Sequence, residues 1–311
     1  MLYLTEQDVL RFLDMPRAIA LVREAFSGLG AGRVVNHPRR RLILPTGSVL
    51  HYMAAGDPHY FGAKIYSSNP RTGAHFFFLL YRAEDATPLA LIEANHLGQI
   101  RTGAATGYAT DVLARPEAHV LGVIGSGFQA DSQVAAVAAV RKLTEIRVWS
   151  RKPDSREAFA ARLRQQGLSG VNAMDSAEAV VQGADILVTM TNSKDPVFEA
   201  GWVSPGTHIN AAGSNQAKRR ELPAAILNRA ALIAVDSKEQ MEMESGDLLL
   251  ARAEGSWNGE VVELSAVNGR RKADDITIFK SNGLAIEDVM AAGWVYECAL
   301  KEGAGKPLYS S

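Results

Sequence analysis

Apolar positions recur at helical spacing over residues 5–28 (Val9, Leu10, Phe12 and Leu13, then Ala18, Ile19, Leu21 and Val22), and the break between the two groups predicts two short helices. Thr5 stands where an N-cap is wanted, ahead of acidic Glu6 and Asp8. Over residues 39–94 the spacing shortens to runs such as RRLILP, VLHYMA, GAKIYS, HFFFLLY and LALIEA, separated by Gly, Pro, Asn and Asp, which predicts an antiparallel sheet. Helical spacing returns at residues 102–113. Then the buried-type runs HVLGVIGSG, EIRVWSR, ADILVTMT, THINAAG and ALIAVDS alternate with Ala-rich amphipathic stretches at 129–141, 155–166 and 176–182. That rhythm predicts a parallel sheet with helical crossovers, hence an α/β domain. From Gly283 the tail LAIEDVMAAGWVYECALKEG is helical again, and in a doubly wound protein such a tail often crosses back to the first domain.

With 311 residues, 47% of them hydrophobic, the chain is long enough for one domain or two. The 33 Lys and Arg nearly balance the 34 Asp and Glu, so no bulk charge draws the molecule to nucleic acid or to an anionic membrane, and neither is expected as a partner. The one cysteine, Cys298, has no internal disulfide partner, and no Cys or His cluster has structural-zinc spacing. Glu239, Glu242, Glu244 and Asp247 fall at helix-like spacing and read as a solvated face, so no metal is expected. The first twenty residues lack the basic start and continuous apolar stretch of a secretory signal. No apolar run reaches the roughly 20 residues that span a bilayer. These features together point to the cytoplasm.

The run Val120-Leu121-Gly122-Val123-Ile124 leads directly into Gly125-Ser126-Gly127-Phe128-Gln129-Ala130, a G-x-G-x-x-A pattern between a buried-type strand and a helix. The first glycine permits a tight turn, the second lets backbone approach a pyrophosphate, and Ala130 allows the helix to pack closely on the strand. A dinucleotide is therefore expected there, its phosphates at the helix N-terminus. The second strand ends in Ser150-Arg151-Lys152, without the acidic residue that would receive the ribose hydroxyls of NAD. A guanidinium at that place favours the 2′-phosphate of NADP(H), with NAD still possible and Asp154 close by. The alternative is that Arg151 and Lys152 form a solvated turn. Thr191 and Asn192 follow one strand, Ala212 and Gly213 the next, and ligands of open α/β sheets lie outside such strand ends.

Several segments taken together resemble the ornithine cyclodeaminase/μ-crystallin family over nearly the whole chain. They are Gly62-Ala63-Lys64, Ile100-Arg101-Thr102-Gly103-Ala104-Ala105-Thr106, the glycine-rich turn, His208-Ile209-Asn210-Ala211-Ala212-Gly213, Glu244-Ser245-Gly246-Asp247-Leu248, and Phe279-Lys280-Ser281-Asn282-Gly283-Leu284-Ala285-Ile286-Glu287-Asp288. The resemblance implies a Rossmann-type doubly wound domain over 111–284 and a split α+β domain, residues 1–110 with 285–311, that binds substrate and forms a homodimer. It also implies that Arg40, Lys64 and Arg101 line the substrate pocket, where guanidinium and ammonium groups would receive a carboxylate. Arg39 and Arg41 flank Arg40, and all three could instead dress an edge strand. Thr102, Ser281 and Gly283 join the expected cofactor set by the same resemblance, although the glycine could serve only as a helix lead-in.

The chain departs from the ornithine-cyclising members of that family at two acidic positions. Asn215 stands where they carry an aspartate, and an amide is no carboxylate base. In the strand Val49-Leu50-His51-Tyr52-Met53, they carry a glutamate where His51 offers no fixed negative charge for a terminal ammonium. The chain thus looks closest to the imino-acid reductases of the family, the ketimine and pyrroline-2-carboxylate reductases. The expected reaction is hydride transfer from NADPH to the carbon–nitrogen double bond of a small α-imino acid, for example Δ1-pyrroline-2-carboxylate giving proline. Arg40 and Arg101 would anchor the carboxylate, Lys64 would polarise the substrate or help deliver the proton, and His51 is a second candidate donor, or a structural histidine. Asn215 completes the expected catalytic set. The alternatives are a redox-neutral ornithine cyclodeaminase, an alanine-type dehydrogenase and a non-enzymatic NADPH-binding protein.

Overall fold

The computed structural model describes residues 1–270 and 272–308. Position 271 of the expected 111–284 domain and the last three positions of the expected 285–311 segment lie outside the described residues. The chain divides into two compact units, Met1–Ala104 with Gly283–Ser311, and Ala105–Asn282.

The first unit opens with β1 (Leu2–Leu4), α1 (Glu6–Phe12) and α2 (Met15–Gly30). Thr5 caps α1 in a reciprocal box, its Oγ1 accepting from the Asp8 N–H and the Asp8 carboxylate accepting from the Thr5 N–H. Strands β2 (Val35–Asn36), β3 (Arg40–Ile43), β4 (Val49–Gly56), β5 (Tyr60–Asn69), β6 (Gly73–Arg82) and β7 (Pro88–Glu93) follow, then helix α3 (Asn95–Leu113), which belongs to this unit as far as Ala104. Strands β4 to β7 pair antiparallel in sequence order, β2 and β3 add to β4, and β1 lies parallel to β7. Helix α3 begins seven residues before the stretch whose spacing predicts it (95 against 102). Glu6 explains the difference: its carboxylate accepts from the N–H groups of Asn95 (2.7 Å) and His96 (2.8 Å), so the cap comes from a residue nearly ninety positions away.

Alternation along the strands gives the sheet two distinct faces. Met53, Lys64 and Phe78 stand in register on one face, where the C-terminal helix Ala285–Glu302 packs on β4 and β5. The opposite face carries Leu42, Leu50, Tyr52, Phe61 and Phe77, all exposed.

In the second unit, β8 (Val120–Ile124), α4 (Phe128–Val140), β9 (Glu145–Trp149), α5 (Pro153–Gln165), β10 (Val171–Ala173), α6 (Ala177–Val181) and β11 (Ile186–Thr189) alternate. They continue through β12 (His208–Ala211), α7 (Ala224–Arg229), β13 (Leu232–Val235), α8 (Lys238–Glu244), α9 (Gly246–Ala253), β14 (Val262–Glu263) and β15 (Thr277–Lys280). The eight strands are all parallel, in the order β10-β9-β8-β11-β12-β15-β13-β14. Two hydrophobic clusters pack on the sheet, one including Val134, Val137, Phe159 and Leu163, the other Val180, Ile226, Met241 and Leu248. Helices on both faces leave the central strands wholly buried, as a doubly wound sheet requires. The chain winds from β8 out to β10 and returns to β11 beside β8, a topological switch point where ligands bind in such folds.

Candidate functional site

A cavity of about 870 Å³ opens at the carboxyl ends of β8, β9 and β11 in the second unit. Gly125, Ser126, Gly127, Phe128 and Gln129 form one wall, Ser150, Arg151 and Lys152 a second, and Thr191, Asn192 and Gly213 a third. Gly125 has φ of 120°, and a Cβ there would run into the Met190 carbonyl oxygen, so only glycine makes this turn. Ser126 Oγ donates to Ser150 Oγ at 3.0 Å, tying the turn to the end of β9. Gly127 caps α4 without a side-chain acceptor, and Phe128 and Gln129 of the first turn line the cavity. Ala130 is fully buried beneath the turn and does not line the cavity. Ala212 lies just outside it, its N–H on the Thr189 carbonyl, and buried Ser281 follows β15. The cavity also recruits Trp149, Met190, Pro196 and Val197, which sequence reasoning missed. Trp149 and Met190 end or follow strands already identified, so the strand-end rule could have found them.

In the first unit, the buried charged side chains among the described residues are Arg39, Lys64, Arg101, Glu287 and Asp288. Lys64 Nζ donates to Asp288 Oδ1 at 2.9 Å, Arg101 Nε donates to the same oxygen at 3.1 Å, and Arg101 Nη1 donates to Glu287 Oε2 at 2.9 Å. Arg39 Nη2 reaches the Gly283 carbonyl at 3.5 Å. Two glycines make room for these cations: a Cβ on Gly98 would meet Lys64 Nζ, and one on Gly283, at φ of 80°, would meet the Arg101 guanidinium. Thr102 lies on the next turn of α3 and donates to the Gly98 carbonyl at 2.7 Å. Burial pulls the Lys64 ammonium down to about 8; Asp288 opposes this, and Arg101 and Arg39 add to it. Burial works against Arg101 too, but Asp288 and Glu287 outweigh it and keep the guanidinium charged.

The structure replaces Arg40 by Arg39 in this cluster. Arg40 pairs with Tyr52 and is exposed on the outer sheet face, whereas Arg39, one residue earlier, is buried. The expectation missed by one residue because alternation sends neighbours to opposite faces, and three consecutive arginines give no polarity contrast to fix the phase. His51 lies on the Lys64 face, stacked on Tyr66 at 4.2 Å, with Nε2 2.9 Å from Ser68 Oγ. Burial, then Arg41 and Arg39, lower it to about 4, so the imidazole is neutral near pH 7. Asn215 is partly buried in the loop after β12. Thr102 and Gly283 belong to the first unit, and the remaining residues expected at the cofactor to the second.

The acidic stretch after β13 differs from the solvated face its spacing suggests. Glu239 and Glu242 are exposed, but Glu244 and Asp247 are buried, because α8 ends at Glu244 and α9 starts afresh at Gly246. Among the described residues no group of His, Cys, Asp and Glu could hold a metal ion, and no helix is long and apolar enough to cross a membrane.

A profile of the family described as Ornithine cyclodeaminase/mu-crystallin family matches residues 1–303. A Δ1-pyrroline-2-carboxylate reductase of Bacillus cereus is 37% identical over 228 residues, 71% of this chain and 70% of that protein. The solved structure of Thermococcus litoralis Δ1-pyrroline-2-carboxylate reductase, in complex with NADH and L-proline, is 32% identical with a TM-score of 0.94, covering 99% of this chain and 100% of that one. An archaeal alanine dehydrogenase, a dimer with bound NAD, is 33% identical with a TM-score of 0.93, covering 99% of both chains.

Proposed function

Because the chain belongs to the ornithine cyclodeaminase/mu-crystallin family, we propose that it is a nicotinamide-dependent oxidoreductase that reduces the carbon–nitrogen double bond of a small α-imino acid. The observation that carries the reading is the composition of the buried cluster, three cations (Arg39, Lys64, Arg101) against two carboxylates (Glu287, Asp288). An excess of one positive charge away from water is costly, and a substrate carboxylate offsets it while gaining charge-assisted hydrogen bonds. A dibasic substrate would bring a second ammonium, which the neutral His51 and the amide of Asn215 do not receive.

The glycine turn at Gly125, the open first turn of α4 and the long cavity beside them fit a dinucleotide, with Gly125–Gln129 at the pyrophosphate. Arg151 and Lys152 line the same cavity, and a guanidinium there supports a 2′-phosphate, hence NADPH as the preferred cofactor and NADH as the weaker one in this reading. When bound, the reduced nicotinamide supplies the hydride for the imine carbon. Arg101 and Arg39 orient the carboxylate so that the reacting carbon is presented in one pose. Lys64, protonated below about pH 8, holds the proton that the substrate nitrogen takes as it becomes an amine. The exposed apolar face of β3 to β6 is where a second copy of the chain packs, giving a homodimer.

The test is loss of reduced-nicotinamide absorbance with purified protein, NADPH or NADH, and a panel of cyclic and open-chain α-imino acids. Absence of turnover across the panel overturns the proposal. Turnover only with ammonia and a 2-oxo acid would instead identify an amino-acid dehydrogenase, the activity named for the archaeal relative.

A further inference from the structure

The pair formed by Glu244-Ser245-Gly246-Asp247-Leu248 and Phe279-Lys280 has no part in the proposed chemistry, yet it builds the most heavily buried ionic network of the second unit. Glu221, Asp247 and Lys280 are all fully buried. Asp247 Oδ1 accepts from the N–H groups of Glu221 (2.6 Å) and Leu222 (2.8 Å), and Asp247 Oδ2 lies 3.1 Å from Lys280 Nζ. Lys280 also donates to the Ser214 carbonyl at 2.5 Å. The Glu221 carboxylate in turn receives donors on both oxygens: the Thr191 N–H on Oε1 (2.5 Å), and the Gly213 N–H (2.8 Å) and Thr189 Oγ1 (3.0 Å) on Oε2.

Thr191 and Gly213 belong to different loops, those that follow β11 and β12, and both line the cavity. We infer that Glu221 is a positioning residue for the cofactor cleft, its carboxylate clamping these two loops together so that their backbone presents a fixed wall to the nicotinamide half of the dinucleotide. The inference rests on the dinucleotide reading above. With the pyrophosphate at Gly125–Gln129 and the adenosine end at Arg151, the Thr191 and Gly213 wall falls to the other half.

The contact is close enough to demand such a clamp. A Cβ on Gly213 would collide with the Thr191 backbone and with Glu221 itself, so the two loops touch with no side chain between them. The Thr191 and Gly213 N–H groups fall on different oxygens, so both positions must accept, which a carboxylate offers and an amide, with an NH₂ at one of them, does not. Burial and the nearby Asp247 push the Glu221 carboxyl up, against the pull of Lys280 and the Thr191 donors. Asp247 serves in turn as the link that brings Lys280 to the network, and Gly246 lets α9 begin against the carbonyls of Gln216 and Arg219.

The experiment compares Glu221→Gln and Thr189→Val with the wild type in calorimetric titrations of NADPH, NADH and their fragments lacking nicotinamide riboside, adenosine 2′,5′-bisphosphate and ADP. In Glu221→Gln the side-chain amide would set an NH₂ against one backbone N–H, so dinucleotide affinity falls about 10-fold or more while the fragments change by less than about 2-fold. Thr189→Val removes a single hydroxyl donor and shifts the dinucleotide by roughly 2- to 5-fold in the same direction. Equal weakening of dinucleotide and fragment, or unchanged dinucleotide affinity, overturns the inference. Should Glu221→Gln fail to fold, Thr189→Val decides. Wild-type protein that binds neither dinucleotide removes the dinucleotide reading, and this inference with it.

Discussion

Lys64 and Asp288 are 224 residues apart in the chain and 2.9 Å apart in the fold, one on a central strand of the sheet and the other in the first turn of the C-terminal helix. The same carboxylate oxygen receives Arg101 Nε, so one buried anion holds two cations at fixed positions. Removing either carboxylate of a cluster that already holds one more cation than anion leaves a further uncompensated buried charge, a loss on the order of 3–5 kcal/mol when nothing rearranges.

The first prediction concerns pH. If the Lys64 ammonium delivers the proton, kcat/KM for imine reduction is highest below about 8 and falls as pH rises through that value, because the ammonium is the active form. The charged groups around Lys64 are Asp288 and Glu287 from the C-terminal helix, Arg101 from α3 and Arg39 ahead of β3, with neutral His51 on β4. Of these, Asp288 is the one that favours the ammonium most. Asp288→Asn should therefore move the falling limb to lower pH by about one unit or more. A pH–rate profile with an unmoved limb in a folded Asp288→Asn protein would assign the proton to another group.

The second prediction separates two adjacent arginines. Arg39→Ala should raise KM for the imino acid by about 10-fold or more, through loss of a charge-assisted contact to its carboxylate, with cofactor affinity nearly unchanged. Arg40→Ala, at an exposed position on the outer sheet face, should raise it by less than about 3-fold, in line with the small effects of surface substitutions. Steady-state kinetics of both variants at saturating cofactor decide the matter, and the reverse ranking would return the role to Arg40.

These cases also show what the amino-acid pattern could and could not carry. The parallel-sheet unit was legible because its signals are local: apolar runs of strand length, Ala-rich crossovers, and the glycine turn at Gly125 whose need for positive φ is written in the residue itself. Strand β15 escaped because four residues between polar neighbours become a central strand only through pairing with β12 on one side and β13 on the other. The start of α3 escaped for a similar reason, its cap being the distant Glu6. In the candidate site, Lys64 and Arg101 were expected from the family resemblance, and only Lys64, between apolar neighbours, also carried a local signal. Their anionic partners Glu287 and Asp288 sit in the first turn of a helix, a place that explains acids locally and hides their pairing across the chain.

Cofactor choice gives the third prediction. Arg151 lines the cavity at the end of β9, and the described residues lining that cavity include no carboxylate to receive ribose hydroxyls. Arg151→Ala should weaken NADPH by about 10-fold while leaving NADH within about 2-fold, because a charge-assisted contact to phosphate is worth roughly 1.5–3 kcal/mol. Fluorescence titration with both reduced cofactors measures the ratio, and an unchanged ratio would make Arg151 part of a solvated turn.

The outer face of the sheet supplies the last prediction. Leu42 stands opposite Leu50, and Tyr52 opposite Ile65, which in turn stands opposite Phe77, so the apolar residues form one continuous surface across four strands rather than scattered singles. Tyr52 is 47% exposed and Phe77 41%, values at odds with a face left to water. A second copy meeting this face about a two-fold axis buries the same residues twice, so each substitution counts twice in the interface. Burying one large apolar side chain is worth about 1.5–3 kcal/mol, and replacing Phe77 by lysine would both forfeit that and set two ammonium groups in an apolar interface. Sedimentation should therefore find the wild type at twice the chain mass and Phe77→Lys at the chain mass, with far-UV circular dichroism unchanged because position 77 contributes nothing to the buried side of its own sheet. A wild type that sediments as a single chain, or a Phe77→Lys protein that stays paired, would mean that this face is covered by something other than a second copy.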